Sequence, residues 1–242
     1  MKRWTTWLGG GLGWALGGPV GALLGAAVGN ALSDFWSEDE KGARVPSSER
    51  DFHASLLVLA SMVIKADGRV DDRELSFVRE QFKQWFGVDR ANEAFRFFKQ
   101  VVQEQPALTT VCSEVRRHMS LQGRIQIVGF LFALAYADGE LQPSERQIIA
   151  RIAQYLGLNQ SDFDRQELLH RPSVKRRDPH EVLGLASNAS DSDIKSAYRK
   201  LVKKYHPDAL QGMGEDVVKE AEATFRQIQD AYEELCKARG IK

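Results

Sequence analysis

The tripeptide His206-Pro207-Asp208 is the segment of this chain whose residue types best suit a recognition chemistry. Proline lacks a backbone N–H and disfavours helical geometry in the residue before it, so the chain is expected to turn sharply at Pro207 and to expose His206 and Asp208 to a partner protein. The Asp208 carboxylate can accept a charge-assisted, bidentate hydrogen bond from an arginine of another protein, and the His206 ring offers further hydrogen bonds. The tripeptide therefore predicts a protein-binding loop.

A basic, amphipathic helix is predicted directly before this loop. Ser190 and Asp193 have the spacing of a capping box, and apolar residues recur every three or four positions from Ile194 to Tyr205. Cations on the outer side of this helix would attract an acidic partner surface and raise the association rate. With the tripeptide and Tyr205, the predicted partner-binding residues are Lys195, Arg199, Lys200, Lys203 and Lys204.

Two further elements complete a helical hairpin. Residues 178–184 are typical of a short helix ended by Gly184, and apolar residues from Ala221 to Leu235 predict a helix that can pack antiparallel to the basic one. This order of elements, with the tripeptide in the connecting loop, resembles a J-domain from Asp178 to about Lys237. The resemblance implies docking on the ATPase domain of a DnaK-type chaperone, whose ATP hydrolysis is stimulated without any catalytic group from the J-domain. His180 departs from the family pattern, in which tyrosine is usual.

The middle of the chain, residues 47–169, has helical periodicity throughout, which predicts an all-α domain. Two of its helices end in Ala66-Asp67-Gly68 and Ala137-Asp138-Gly139, so an internal duplication is predicted. This part resembles the TerB-like domain of tellurite resistance proteins, and the resemblance associates its acidic turns with divalent-metal binding. Capping of helix N-termini explains acidic residues at these places without a metal and is the alternative. The metal-ligand candidates are Asp67, Asp71, Glu74, Asp138 and Glu145.

The N-terminal segment carries no charged residue between Arg3 and Asp34, a stretch of 30 residues, whereas a helix needs roughly 20 apolar residues to cross a bilayer. Glycine at every fourth position lets a second helix approach closely, so self-association is predicted. Pro19 and the many glycines leave a surface-lying leader as an alternative, and small residues near its end leave a cleaved signal peptide as another. The glycine stripe consists of Gly9, Gly13, Gly17, Gly21, Gly25 and Gly29.

Composition argues against several other classes of function. The 33 basic and 33 acidic residues balance, so no global field would draw the protein to nucleic acid. Cys112 and Cys236 are far apart and lack a metal-ligand spacing. His53 and His118 fall in periodic helical runs without a nucleophile motif, and no cofactor loop is present. We therefore expect neither an enzyme nor a cofactor.

Taken together, the chain is predicted to be all-α, with a glycine-zipper membrane segment, a TerB-like helical bundle and a C-terminal J-domain hairpin. This arrangement resembles the DjlA type of membrane-anchored DnaJ-like co-chaperone. The charge-free N-terminal segment predicts one span of the inner (cytoplasmic) membrane and contact with its lipid. The helical domains are placed in the cytoplasm on functional grounds, because a J-domain works where ATP and DnaK are present. The TerB-like domain would recruit an unknown client or sense a ligand. The rival hypothesis is a membrane scaffold or stress-response protein with a degenerate J-domain. The predicted divisions are a membrane segment at 1–33, a linker at 34–46, the TerB-like domain at 47–169, a basic linker at 170–177 and the J-domain at 178–242.

Overall fold

Helices make up the regular structure of the chain, and no strand occurs in the residues that the structure describes, so the all-α prediction is confirmed. The structure is a computed structural model. It describes residues 47–66, 68, 72–104, 107–137, 139–172, 177–210 and 215–241.

The first unit, here called the bundle, runs from α1 to α6. Helix α1 lies at its centre and contacts α2, α3, α4 and α5, while α4 also packs along α6. The core is aromatic and aliphatic, with Phe82, Phe98 and Phe132 fully buried. The helices of the bundle are α1 Ser47–Ile64, α2 Asp72–Glu104, α3 Leu108–His118, α4 Leu121–Ala135, α5 Pro143–Tyr155 and α6 Gln160–His170.

Helix α2 contains a sharp break at Gly87, where φ is 75° and ψ is 165°. Side chains other than glycine rarely adopt this region, which explains glycine at a position with open space around it. The break lets the two arms of α2 pack on each other, because Phe82 from one arm meets Phe98 from the other in an edge-to-face contact with centroids 5.8 Å apart.

The two predicted acidic turns follow α1 and α4. Each is closed by a glycine with positive φ, Gly68 at 75° and Gly139 at 99°. After the second turn, Pro143 begins α5 and the Glu145 carboxylate accepts a 2.8 Å hydrogen bond from the backbone N–H of Gln142. Pro143 is therefore the first residue of α5, and Glu145 closes its capping box.

The second unit, here called the hairpin, comprises α7 Pro179–Leu183, α8 Asp191–Tyr205, a 3-10 turn Pro207–Leu210 and α9 Glu215–Arg239. Helices α8 and α9 pack against each other and α7 packs across both. The rings of Tyr198 and Tyr232 stack between them, with centroids 3.9 Å apart and planes 4° apart. Both predicted signals of the hairpin are confirmed: the Ser190–Asp193 capping box begins α8, and Gly184 ends α7 with a φ of 71°.

The hairpin packs on the bundle through its 3-10 turn and α9 against α4, and through α7 against α6. Each of the two apolar cores contains residues from both the bundle and the hairpin. Ile125 and Leu169 of the bundle are buried with the hairpin core, whereas Leu210 and Ala221 of the hairpin are buried with the bundle core. The bundle therefore sets the surroundings of the loop that contains the tripeptide.

Candidate functional site: the tripeptide loop and its basic helix

The tripeptide lies in a sharply turned loop at the end of α8. His206 is the extended residue that ends the helix, with φ −64° and ψ 128°, and Pro207 begins the 3-10 turn. This is the geometry expected before a proline, whose ring disfavours helical backbone at the preceding residue. Asp208 is consequently placed beyond the helix end, with 76% of its side chain exposed.

The His206 ring contacts Asp208 and Phe225. Its Nδ1 lies 3.3 Å from the backbone nitrogen of Asp208, whose N–H donates to it, and 3.5 Å from the Asp208 Oδ2. The His206 and Phe225 rings meet edge-to-face, with centroids 5.6 Å apart. With Nδ1 acting as acceptor, the neutral ring carries its proton on Nε2. The ring is nevertheless 45% exposed, so it can offer this donor to another molecule.

The basic face of α8 is open along most of its length. Arg199, Lys200 and Lys203 are exposed, and the Nε of Arg199 donates to the Lys195 carbonyl at 3.2 Å. Lys204 is different, since it forms an ion pair with Asp162 of the bundle and only 24% of its side chain is exposed. Lys195 and Lys204 are half-buried, whereas the sequence predicts five exposed cations. The pattern of one helix does not show which neighbouring residues cover a side chain.

Tyr205, the last residue of α8, is buried and belongs to the hairpin core. Burial raises the pKa of its hydroxyl to about 12, although the nearby Arg165 and Gln166 side chains act in the opposite direction. Within the described residues this hydroxyl makes no hydrogen bond of full geometry, although the Arg165 and Gln166 side chains lie beside it. Tyr205 therefore packs in the hairpin core next to the loop, and its hydroxyl is not exposed to a partner protein.

His180, where the J-domain pattern usually has tyrosine, makes polar contacts at the end of the hairpin away from the tripeptide. Its Nδ1 lies 3.1 Å from the Asp178 carboxylate and its Nε2 lies 3.0 Å from the Arg239 guanidinium. Arg239 also donates to the Ser187 carbonyl at 3.0 Å, so it ties the end of α9 to the loop before α8. The backbone N–H of His180 holds the pKa of Asp178 below its usual range. His180 thus links α7 and α9 through polar contacts.

Arg177 lies where an exposed basic linker is predicted, but it is half-buried. Its guanidinium donates to the Gln227 side chain at 2.7 Å and to the Leu169 carbonyl at 2.8 Å. One residue of the linker therefore joins the end of α6 to α9.

The metal-ligand candidates remain predictions. Asp67, Asp71 and Asp138 lie outside the described residues, Glu74 belongs to the first turn of α2, and Glu145 is engaged in its helix cap. Over the part of the chain that the structure describes, no group of three or more His, Cys, Asp or Glu side chains is arranged to hold a metal ion. Cys112 is buried, and burial raises the pKa of its thiol to about 12, which keeps the reactive thiolate scarce at neutral pH.

Three family models match the chain: the tellurite resistance protein TerB over residues 53–168, the DnaJ domain over residues 178–240 and the co-chaperone DjlA transmembrane domain over residues 1–34. A co-chaperone protein DjlA from Vibrio cholerae is 29% identical over 238 residues, covering 83% of each chain. Another from Coxiella burnetii is 30% identical over 230 residues, covering 85% of each chain. The chain belongs to the DjlA co-chaperone family.

Members of the DjlA family are co-chaperones rather than enzymes, and the J-domain implies a DnaK-type partner. The hairpin is also similar to a chaperone protein DnaJ from Methylibium petroleiphilum, with 52% identity over 65 residues, which is 27% of this chain and 16% of that protein. No solved structure matches the chain.

The match to the DjlA transmembrane domain indicates association with a membrane. The glycine stripe from Gly9 to Gly29 and the linker at 34–46 lie outside the described residues. Among the helices that the structure describes, none is both long enough and apolar enough to cross a bilayer.

Sequence reasoning missed the side chains of the bundle that surround the loop. Asp162, Arg165 and Gln166 are polar yet buried on α6. Asp162 pairs with Lys204 near the end of α8, and Arg165 donates to the Val182 carbonyl near the end of α7. Their spacing places them together on one face of a helix, which is a signal in the sequence. That this face contacts the hairpin follows only from the tertiary packing.

Proposed function

We propose that the hairpin docks on the ATPase domain of a DnaK-type chaperone and stimulates its ATP hydrolysis. The observation that supports this most is the His206-Pro207-Asp208 loop, which is fixed at its base and exposed at its tip, at the end of a helix with an open basic face. An ordered loop loses little conformational entropy on binding, so its contacts contribute to affinity more fully.

Each part of this surface has a role in the proposal. The exposed Asp208 carboxylate accepts hydrogen bonds from an arginine of the chaperone, a charge-assisted contact with defined geometry. The Nε2–H of His206 donates to an acceptor beside it. Arg199, Lys200 and Lys203 attract the acidic surface of the partner and orient the approach. In this proposal the hairpin contributes binding contacts, and the groups that hydrolyse ATP belong to the chaperone.

The remaining parts of the chain would set where this activity occurs. In our proposal the N-terminal segment anchors the protein in the inner membrane with a single span, its glycine stripe pairs two copies, and the TerB-like bundle recruits a client. The helical units lie on the cytoplasmic side, because ATP and the DnaK-type partner are found there. Delivery of chaperone activity to a membrane-proximal client would follow.

Binding of the full-length chain to a DnaK-type chaperone in the presence of ATP, measured by calorimetry in detergent micelles, tests this proposal. We expect the Asp208→Asn variant to bind at least about tenfold more weakly, because the arginine of the chaperone would lose its carboxylate partner in the interface. Asp191→Asn is the matched control, since Asp191 is exposed at the opposite end of α8. Equal affinities of wild type and Asp208→Asn would contradict the proposed docking mode.

A further inference from the structure

Lys204 of α8 has an acidic partner within the same chain. Its ammonium group pairs with the Asp162 carboxylate, which lies in the first turn of α6 and has only 4% of its side chain exposed. Lys200 and Lys203, on the same helix, are exposed. One cation of the surface proposed to meet an acidic chaperone is therefore neutralised by a carboxylate of the same chain.

The ion pair lies inside a polar contact between bundle and hairpin. The Arg165 guanidinium donates to the Val182 carbonyl at the end of α7, and one of its terminal nitrogens lies 2.7 Å from where a Cβ of Gly184 would be. Gln166 is fully buried beside it. The contact thus reaches from the start of the hairpin to the end of α8, next to the tripeptide.

This contact leaves several buried polar atoms unpaired. Within the described residues, Asp162 Oδ2, Arg165 Nε, both amide atoms of Gln166 and the Tyr205 hydroxyl make no hydrogen bond of full geometry, although the Arg165 and Gln166 side chains lie beside the Tyr205 hydroxyl. Burying polar atoms without partners is unfavourable, and a buried ion pair gains little once its desolvation is counted. Separation of the polar faces would let water reach these atoms. The Lys204–Asp162 pair is therefore one that an external carboxylate can displace.

The tripeptide itself does not depend on this displacement for access. His206 is 45% exposed and Asp208 is 76% exposed while Lys204 is paired with Asp162. A partner can consequently make its first contacts with the loop and with Lys203 while Lys204 is still held by the bundle. Exchange of Lys204 from one carboxylate to another would then accompany full docking.

From this geometry we infer that Asp162 is an internal competitor for Lys204: it lowers the affinity of the hairpin for the acidic surface of its chaperone until the partner displaces it. The inference rests on the proposed function. The bundle would then restrain the co-chaperone activity of the hairpin, and any event that draws α6 away from α8 would raise it. Neither the sequence motif nor the family match assigns such a role to Asp162.

The test compares the affinity of full-length variants for the DnaK-type chaperone. We expect Asp162→Asn to tighten binding by about threefold to tenfold, the range of a partly exposed ion pair that no longer has to be broken. Asp164→Asn is the matched control, because Asp164 is exposed on the same helix and accepts a hydrogen bond from the Gln160 side chain at 2.7 Å. Its affinity should equal that of wild type.

A double-mutant cycle separates competition from a general structural effect. We expect Lys204→Gln to weaken binding at least about threefold more in the Asp162→Asn background than in wild type, because only there is Lys204 fully available to the partner. Equal losses in the two backgrounds would overturn the inference. The melting temperature of each variant identifies any that fail to fold.

Amine labelling provides a readout that does not depend on binding to the chaperone. With an acetylating reagent and mass spectrometry, Lys204 should react more slowly than Lys200, and Asp162→Asn should remove the difference. Equal rates in the wild-type chain would show that the pair does not form and would overturn the inference.

The outcomes distinguish this inference from the function on which it rests. If wild type binds the chaperone and His206→Gln does not, while Asp162→Asn is indistinguishable from wild type, the function stands and the inference fails. If neither wild type nor Asp162→Asn binds the chaperone, the proposed function fails and the inference fails with it.

Discussion

Replacement of Gly184 by alanine tests the contact between bundle and hairpin through two separate effects. Gly184 has a φ of 71°, where an alanine costs about 1 kcal/mol. Its new Cβ would also lie 2.7 Å from a terminal nitrogen of Arg165, whose guanidinium now donates to the Val182 carbonyl. Displacing a buried hydrogen-bonded guanidinium costs roughly 1–3 kcal/mol. We therefore expect the free energy of unfolding to fall by about 2–4 kcal/mol.

Gly240→Ala is the control for the backbone effect alone. Gly240 follows α9 as Gly184 follows α7, with a φ of 64° and nothing within 4 Å of an added Cβ. In urea denaturation followed by circular dichroism, we expect Gly184→Ala to lose more stability than Gly240→Ala. The excess should largely vanish when both glycine variants are compared in an Arg165→Ala background. An excess that persists there would refute the assigned contact between Arg165 and the end of α7.

Two further predictions concern the core and the acid stability of the hairpin. Phe132→Ala should lower the free energy of unfolding by roughly 3–5 kcal/mol in the same urea assay, because the Phe132 side chain is fully buried. The second concerns Asp178, whose pKa is held low by the backbone N–H of His180. The stability that the Asp178 carboxylate contributes is therefore present above its pKa in the unfolded chain, and it is lost as the pH falls through its pKa in the folded protein. Asp178→Asn keeps a cap acceptor but does not titrate, so its melting temperature should fall less steeply than that of wild type between about pH 5 and pH 3, and parallel profiles would contradict this.

The local features of the hairpin could be predicted from the sequence because they depend on neighbours along the chain. The Ser190–Asp193 cap, the glycine after α7 and the apolar spacing of α8 each act within a few residues. The turn at His206 likewise follows from the proline beside it. These local rules were sufficient to place the tripeptide at the end of a basic helix.

The surroundings of the loop could not be predicted in this way. Lys204 and Asp162 are separated by 42 positions, and the sequence pattern of either helix is equally consistent with solvent on that face. Arg177 lies in a basic stretch that is typical of a linker, yet its guanidinium donates hydrogen bonds to the Leu169 carbonyl and the Gln227 side chain. Such contacts depend on how two helical units pack together, which short-range periodicity does not encode.

Single-turnover ATP hydrolysis by a DnaK-type chaperone from the same organism, with the full-length chain in detergent micelles, is the decisive assay of the proposed J-domain activity. We expect wild type to accelerate hydrolysis, whereas His206→Gln, folded to the same melting temperature, should not. Failure of the folded wild-type chain to accelerate hydrolysis, or equal acceleration by both proteins, would contradict it.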